Sequence, residues 1–346
     1  MPRAGPSSPG AKTTTVRTAR VRPRQNWGLN TRMDGLPETL KPVAAVTCQR
    51  TVKSAISCVG VGLHSGQRVN LSLLPAAPGT GVIFRRTDLN ADIPARWDMV
   101  ADTRLCTLIA LPSRPEARVG TIEHLMAALA ATGVDNVIVA VDGPEVPVFD
   151  GSSAPFMFLI DCAGVLDQTA IRPLLEVLRP VRVEEGEAFA ELRPYKFGLD
   201  MALSIDFAAA AIGRQALTVT LSDHNFRTEL AHARTFTQRH EIEAMQAAGL
   251  ARGGSLANAV VVDGDRVMNP EGLRNPDEFV RHKLLDAVGD LALAGCRMHA
   301  RFTAHRCGHT LNNRLLRALF ADSAAWRLVS AEPASRMEFS QVARAA

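Results

Sequence analysis

Residues 278–291, EFVRHKLLDAVGDL, carry two helical patterns in one segment. Apolar side chains recur three or four residues apart and predict a helix with one face against a core: Val280, Leu284, Val288 and Leu291. His282, Asp286 and Asp290 follow one another at intervals of four, so they share a second face of that helix. A solvated face is usually rich in Glu, Lys and Arg, so a line of histidine and aspartate needs a further explanation.

Metal binding is one explanation for this second face. The imidazole of His282 and the carboxylate of Asp286 lie on adjacent helical turns and can bind one ion together. A catalytic zinc site usually takes three protein ligands and one water. The sequence TIEHL, which begins at Thr121, offers a further histidine, His124, beside the carboxylate of Glu123. We expect Thr121 to be the N-cap of a helix that carries both in its first turn. On spacing alone, a solvated or core-capping helix pair is the more common explanation for His282 and Asp286.

The rest of the chain alternates strand-like and helix-like patterns. Strands are predicted at residues 67–74, 81–86, 135–142, 179–184, 199–207, 216–221, 258–263 and 299–304. Helices are predicted at residues 121–132, 154–164, 239–248, 278–294 and 310–320. Each half therefore reads as several strands followed by helices, which indicates an α+β fold. The stretch DQTAIRPLLEVLRPV contains two prolines and a change of pattern, and it predicts a domain boundary near residues 167–178.

Charge is distributed unevenly along the chain. The 346 residues have a net charge of +4, yet residues 1–32 contain seven Lys or Arg and no acidic residue, which leaves 32 basic and 35 acidic residues in the remainder. The mildly acidic remainder argues against a nucleic-acid partner. The basic segment is rich in Pro, Ser and Thr and predicts disorder; a translation start at Met33 is an alternative that would remove it. The expected parts are a disordered extension at 1–44, α+β domains at 45–170 and 178–330, and a C-terminal tail at 331–346.

The spacing of the cysteines and the length of the apolar runs predict the cellular location of the protein. The six cysteines form no CxxC pair and no compact framework, which fits a reducing cytoplasm. No run approaches the roughly 18 apolar residues that span a bilayer, so any contact with the inner membrane is expected to be transient and from the aqueous side. A monomer is the expected oligomeric state, although the sequence contains no direct signal for it.

Eight sequence blocks follow one another between Thr51 and Arg317: GVGLHSGQRVNLSLLPAAPGTGVIFRRTDL, DTRLCT, TIEHLMAALAATGVDN, EVPVFDGSSAPF, ARTF, GLARGGSLANAVVVD, GLRNPDEFVRHKLLDAVGDL and GHTLNNRLL. Together, and in this order, they resemble the bacterial UDP-3-O-acyl-N-acetylglucosamine deacetylases of lipid A synthesis. The resemblance implies two domains of similar topology, each a β-sheet layered with helices, with the active site between them. It also implies a small βαβ insert in the second domain, at about residues 235–265.

The resemblance further implies one zinc ion and a set of catalytic residues. The implied zinc ligands are His124, His282 and Asp286. The implied catalytic residues are Glu123, Thr235, Asp290 and His309. Glu123 would be the general base for the attacking water. Thr235 and His309 would stabilise the oxyanion, with Asp290 orienting His309 and keeping it protonated. Either Glu123 or His309 can protonate the leaving amine, and the sequence leaves that choice open.

The implied substrate is UDP-3-O-(3-hydroxyacyl)-N-acetylglucosamine, which loses its N-acetyl group as acetate. The implied substrate contacts are Leu63, Cys106, Phe236, Ile242, Ala251, Ala259 and Lys283. We expect Cys106 to line the pocket without reacting and Phe236 to pack on the sugar, while Ile242, Ala251 and Ala259 form walls of an acyl channel. Gln238 stands where the family often has a large apolar residue, and its polarity is expected to influence which acyl chains fit.

Three other classes of function stay open at this stage. A different zinc amidase or a zinc peptidase could use the same ligands, although the chain has no HExxH motif. A noncatalytic protein that binds a sugar nucleotide or a lipid carrier would need no glutamate beside a metal histidine. A basic nucleic-acid module is supported only by the first 32 residues.

Overall fold

The computed structural model describes residues 47–329, and the expected N-terminal extension and C-terminal tail lie outside this part of the chain. The strands, numbered in chain order, are β1 Cys48–Val52, β2 Ile56–Val61, β3 Arg68–Pro75, β4 Val82–Arg86, β5 Ala91–Pro94, β6 Val100–Asp102, β7 Leu108–Leu111, β8 Arg114–Val119, β9 Val137–Val141, β10 Val165–Ile171, β11 Leu174–Val177, β12 Val181–Glu185, β13 Ala188–Pro194, β14 Leu199–Asp206, β15 Arg214–Thr220, β16 Phe236–Gln238, β17 Val260–Asp263, β18 Arg266–Val267, β19 Arg297–His305 and β20 Trp326–Val329. The helices are α1 Glu123–Thr132, α2 Ala154–Ala163, α3 Asp223–Asn225, α4 Arg239–Ala247, α5 Glu278–Ala292 and α6 His309–Ala321. This mixture of helices and sheets confirms the α+β class.

The two halves of the described chain have the same sheet topology. The first sheet has the order β2-β3-β9-β4-β5, and the path β12-β13-β19-β14-β15 repeats it in the second half. In both, neighbouring strands are antiparallel except for one parallel pair, β9 with β4 and β19 with β14. The central strands β9 and β19 are each preceded by one helix, α1 or α5, and followed by another, α2 or α6. The similar topology implied by the resemblance is therefore present.

The chain changes from the first set of sheets to the second within the proline-containing stretch. Strand β10 pairs with β1, whereas β11 pairs with β19 and β20. Only Arg172 and Pro173 separate β10 from β11. This change of partners supports a boundary near residues 167–178, which stays a prediction.

Each half carries one insertion before its central helix. The three-stranded sheet β6-β7-β8 precedes α1. In the second half, β16, α4 and β17 form a βαβ unit whose strands are parallel, and the hairpin strand β18 completes its sheet. This unit lies within the expected insert at residues 235–265.

Helices α1 and α5 pack directly on each other, and one glycine makes their close approach possible. The apolar stripe predicted on α5 is buried, since the exposed fractions of its members do not exceed 3%. A β-carbon added at Gly289 would lie 2.0 Å from the carbonyl oxygen of Glu123, closer than any side chain allows. Gly289 therefore lets the first turn of α1 rest against the polar face of α5. No helix among residues 47–329 is long and apolar enough to cross a membrane.

Candidate active site

Three candidate metal ligands converge where α1 meets α5. The Nε2 atoms of His124 and His282 lie 3.5 Å and 3.3 Å from Oδ1 of Asp286. The two imidazole rings meet edge to face with their centroids 5.0 Å apart. All three ligand atoms lie within 4.8 Å of one another, and each residue is at most 3% exposed. This burial excludes the solvated-pair explanation for the polar face of α5.

The hydrogen bonds around this trio leave its inner atoms available. Nδ1 of His282 lies 3.0 Å from the carbonyl oxygen of Ala233, which can only accept, so this nitrogen carries the proton and Nε2 keeps its lone pair. Lys283 donates to Oδ2 of Asp286 at 3.0 Å. Oδ1 of Asp286 is buried and accepts no hydrogen bond within the described residues. A buried carboxylate oxygen that has no donor among these residues and faces two imidazole nitrogens fits a divalent cation.

Electrostatics favour the charge states that metal ligands need. Burial lowers the pKa of His282 to about 4, so its ring is neutral at pH 7. Burial opposes ionisation of Asp286, yet His282 and the ammonium group of Lys283 hold the pKa of this carboxyl well below its usual range. A neutral imidazole and an ionised carboxylate are the forms that bind a metal.

Glu123 is the first residue of α1 and lies beside the trio. Its Oε2 accepts a hydrogen bond from the backbone N–H of Thr107 at 3.0 Å. Burial raises the pKa of Glu123, against the opposing influence of His309 and His124. The expectation that Thr121 caps this helix was wrong. Ile122 occupies the N-cap position without a side-chain hydrogen bond, and Thr121 lies one residue earlier with a positive φ of 55°. The Thr121 hydroxyl donates to Glu145 at 2.8 Å.

A second buried carboxylate, Asp290, anchors His309 beside Glu123. Nδ1 of His309 donates to Oδ2 of Asp290 at 2.8 Å, and Nε2 lies 3.8 Å from Oε1 of Glu123. Asn312 also donates to Asp290 at 2.8 Å, and the hydroxyl of Thr107 donates to its other oxygen. Burial opposes the charge on His309, but Asp290 and then Glu123 raise the pKa of the imidazole to about 9. His309 is therefore a cation at pH 7 that faces the carboxylate of Glu123.

These groups open into a cavity of about 340 Å³. Its walls include most of the residues predicted from the sequence: Leu63, Cys106, Glu123, His124, Thr235, Phe236, His282, Lys283, Asp286 and His309. Gln238 also lines the cavity. Asp290 lies behind His309 and does not line the wall. Ile242, Ala251 and Ala259 belong to the insert but are not among the lining residues, so their contact with an acyl chain stays a prediction.

Two predicted substrate contacts have well-defined surroundings. Phe236 stacks edge to face on Phe279, with ring centroids 5.0 Å apart, and its centroid lies 6.2 Å from that of His282. Burial first, and then Glu123, raises the pKa of the Cys106 thiol above its usual range. Cys106 is therefore a neutral thiol in the cavity wall, and its expected lack of reactivity stays a prediction.

The sequence analysis did not identify two residues that build this site. Thr107 bridges the two carboxylates, since its N–H bonds to Glu123 and its hydroxyl to Asp290. Glu145 is 4% exposed and accepts hydrogen bonds from the backbone of His64 and Ser65, so it holds the loop that lines the cavity. Thr107 and Glu145 lie inside quoted sequence blocks, but hydroxyl and carboxylate groups in loops give no periodic signal.

The arrangement has known relatives. Residues 49–321 match the family model of UDP-3-O-acyl N-acetylglycosamine deacetylase (LpxC). The chain is similar to the UDP-3-O-acyl-N-acetylglucosamine deacetylase of Shewanella frigidimarina, with 48% identity over 285 residues, which cover 82% of this chain and 92% of the relative. The protein of the same name from Chromobacterium violaceum is 49% identical over 286 residues, which cover 82% and 93% of the two chains. The matched range contains every element that carries the trio and the groups around it.

Proposed function

The chain belongs to the UDP-3-O-acyl-N-acetylglucosamine deacetylase family, and we propose that it performs this deacetylation with one zinc ion bound by His124, His282 and Asp286. The reaction is the deacetylation step of lipid A biosynthesis, in which water converts UDP-3-O-(3-hydroxyacyl)-N-acetylglucosamine to the free amine and acetate. When bound, the zinc ion supplies Lewis acidity for the water and the acetamide carbonyl. Two imidazoles and one carboxylate are ligands that zinc commonly takes in hydrolases.

Glu123 is the proposed general base. Its carboxylate lies next to His124 in sequence and faces the same cavity, so it can accept a proton from water at the trio. The raised pKa favours this role because a more basic carboxylate accepts a proton more readily. The N–H of Thr107 fixes one oxygen and leaves the other, Oε1, turned toward His309.

His309 is the proposed electrostatic partner of the tetrahedral oxyanion. A buried imidazolium held by Asp290 is a preorganised positive charge, and such charges lower the barrier most where water is excluded. Thr235 lines the same cavity and is proposed to donate to the oxyanion. Nε2 of His309 is also placed to give its proton to the leaving amine, and Glu123 can do the same after it has taken the proton from water.

The proposed substrate contacts are Lys283, Leu63, Cys106 and Phe236, which share the cavity with the trio. The acyl chain is proposed to run along the βαβ insert, with Ile242, Ala251 and Ala259 on its path. Ala251 lies in the turn whose Gly253 N–H donates to the carbonyl of Leu63 at 3.0 Å, so the insert and the cavity wall touch. The cytoplasmic location and the monomeric state stay predictions.

The observation that carries the proposal is the buried trio with an unpartnered carboxylate oxygen beside Glu123. The test measures acetate and free amine released from the UDP-linked substrate by zinc-loaded intact protein and by Glu123→Gln, with zinc content determined by mass spectrometry for both. Glu116→Gln, an exposed substitution of the same kind, is the matched control. We expect full zinc content in all three proteins and a loss of turnover of about 100-fold or more only in Glu123→Gln. Equal turnover in Glu123→Gln would reject the assigned base, and no turnover in the intact protein would reject the substrate.

A further inference from the structure

A second cavity, of about 320 Å³, lies at the C-terminal ends of α1 and α5. It shares no lining residue with the metal-site cavity. Most of its walls are apolar and include Val82, Met126, Leu129, Leu199, Val288 and Leu291. Its volume lies at the lower end of the range for small-molecule sites, which are usually apolar with a few polar groups. The proposed deacetylation gives this second cavity no role.

Arg50 and Arg297 line this cavity, and Arg172 lies close to Arg297 beside Gly133. Two of these three arginines, Arg50 and Arg172, have structural partners. Arg50 donates to the carbonyl oxygen of Thr132 at 3.2 Å and bonds to Asp167 at 2.8 Å. Arg172 donates to the carbonyl oxygen of Gly133 at 2.7 Å and bonds to Asp135 at 2.9 Å. These contacts satisfy carbonyls at the end of α1, which accounts for both side chains without any ligand.

Arg297, the first residue of β19, has no comparable partners among residues 47–329. Its side chain is exposed, lines the cavity and makes no hydrogen bond or salt bridge to any residue in the range 47–329. A β-carbon built on Gly133 would lie 2.7 Å from Nη2 of Arg297 and 3.5 Å from Nη2 of Arg172, so these nitrogens are at most 6.2 Å apart. One carboxylate or phosphate group can accept from both, because each guanidinium has five N–H donors.

Arg297 lies near two other arginines that repel it and near the carboxylate of Asp135. Partial burial first, and then repulsion from Arg172 and Arg50, lowers the pKa of Arg297, while Asp135 opposes this effect. Asp135 already bonds to Arg172, and Asp167 bonds to Arg50. Asp223, the other carboxylate in the lining, bonds to Arg227 at 2.9 Å. Arg297 is therefore the lining cation that has no carboxylate partner among residues 47–329. A largely apolar cavity with such a guanidinium in its lining fits an amphipathic anion.

We propose that this cavity binds a small amphiphile with a single alkyl chain and an anionic head, the head lying between Arg297 and Arg172 and the chain lying among the apolar walls. The proposal rests on the geometry of the second cavity and is independent of the metal site. A carboxylate or a phosphate monoester gives the same contacts, so an alkanoate and an alkyl phosphate are separate arms of the test.

The test uses isothermal titration calorimetry on the zinc-loaded intact chain with decanoate, octanoate and decyl phosphate, and with inorganic phosphate as the head alone. Arg297→Gln removes the proposed contact. Arg301→Gln is the matched control, because Arg301 is an exposed arginine of the same strand that pairs with Asp200. Ala130→Phe places a larger side chain in the cavity wall and leaves Arg297 in place.

We expect Arg297→Gln to weaken decanoate binding about tenfold and Arg301→Gln to leave it unchanged. Loss of two methylenes, from decanoate to octanoate, is expected to weaken binding by a further factor of about 15. Tighter binding of decyl phosphate than of decanoate would identify a phosphate as the preferred head group. Tighter binding of decanoate would identify a carboxylate, and either result supports the site.

Three results would overturn the proposal. The first is equal affinity of Arg297→Gln and the intact chain for both amphiphiles. The second is that the deacetylase substrate displaces the amphiphiles while Arg297→Gln and Ala130→Phe leave their affinity unchanged. This result would place the alkyl chain beside Phe236, in the metal-site cavity. The third is the absence of any binding heat at millimolar amphiphile. If circular dichroism shows that Arg297→Gln is unfolded, Ala130→Phe decides: unchanged affinity there rejects the site.

Discussion

Replacing Asp290 with asparagine tests how the site keeps a buried histidine charged. The pKa of His309 is raised from 6.5 to about 9, and at 1.36 kcal/mol per pKa unit this corresponds to about 3 kcal/mol of preference for the cation. The amide introduced by Asp290→Asn keeps the size of the side chain and can still accept from His309, but it lacks the charge. Burial is then opposed mainly by Glu123, and we expect the pKa of His309 to fall by about 2 units.

Two assays measure the expected fall in the pKa of His309. The imidazole proton signals of His309, assigned by their absence in His309→Gln, are titrated by NMR in the metal-free chain and are expected to show a midpoint near pH 9 in the intact protein and near pH 7 in Asp290→Asn. In the zinc-loaded enzyme, the alkaline limb of kcat/KM is expected to move to lower pH by a comparable amount, because the proposed stabilisation of the oxyanion uses the cationic form of His309. Asp200→Asn removes one carboxylate outside the site and is the charge-matched control.

The pH dependence of the free energy of unfolding gives an independent check of the direction of the His309 pKa shift. Since the folded-state pKa of His309 lies above the unfolded value of 6.5, its contribution is complete below about pH 6.5 and is lost as the pH rises through about 9. The free energy of unfolding is therefore expected to differ between intact protein and Asp290→Asn by more at pH 6 than at pH 10. A His309 midpoint that stays near pH 9 in Asp290→Asn would refute the assigned cause of the shift.

Three further substitutions probe the packing around the site. Gly289→Ala places a β-carbon 2.0 Å from the backbone of Glu123, and we expect it to lower the free energy of unfolding by about 3 kcal/mol, measured by urea denaturation, and to abolish turnover. Thr107→Val removes the hydroxyl that donates to Asp290 but keeps the N–H to Glu123, so kcat is expected to fall about tenfold with little change in KM, and Thr107→Ser is expected to restore it. Gln238→Leu makes the cavity wall less polar and is expected to change the acyl-length preference in kcat/KM; an unchanged preference would reject a role for Gln238.

The helices of the site were predictable because their polar site residues and their apolar core residues both recur with the helical repeat. The predicted helices at 121–132 and 278–294 agree with α1 and α5 to within two residues at either end. His282 and Asp286 are four apart, so their proximity follows from helix geometry. The proximity of His124 to either depends on packing between two helices far apart in sequence; the need for a third zinc ligand made His124 a candidate, and the family resemblance assigned it.

Several strands could not be predicted from the sequence, in some cases because their residues have low strand propensity or no clear alternating pattern. Strand β13, AFAELRP, contains alanine, glutamate and proline, which have low strand propensity, yet it pairs on both sides with β12 and β19. The repeated topology was likewise invisible as sequence similarity, because a sheet order needs apolar positions rather than particular residues. At Thr121 the tertiary structure overrides the local preference: Thr121 adopts a positive φ one residue before the N-cap Ile122, and its hydroxyl donates to the buried carboxylate of Glu145.

The duplicated topology explains why the active site lies where it does. Helices α1 and α5 occupy equivalent positions in the two repeats, each immediately before the central strand of its sheet, and they pack against each other. His124 comes from one repeat, whereas His282 and Asp286 come from the other. Neither repeat alone has three ligands, so a metal ion that takes all three also holds the repeats together. Metal binding by the proposed trio would therefore stabilise the contact between α1 and α5, because the unfolded chain has no preformed trio.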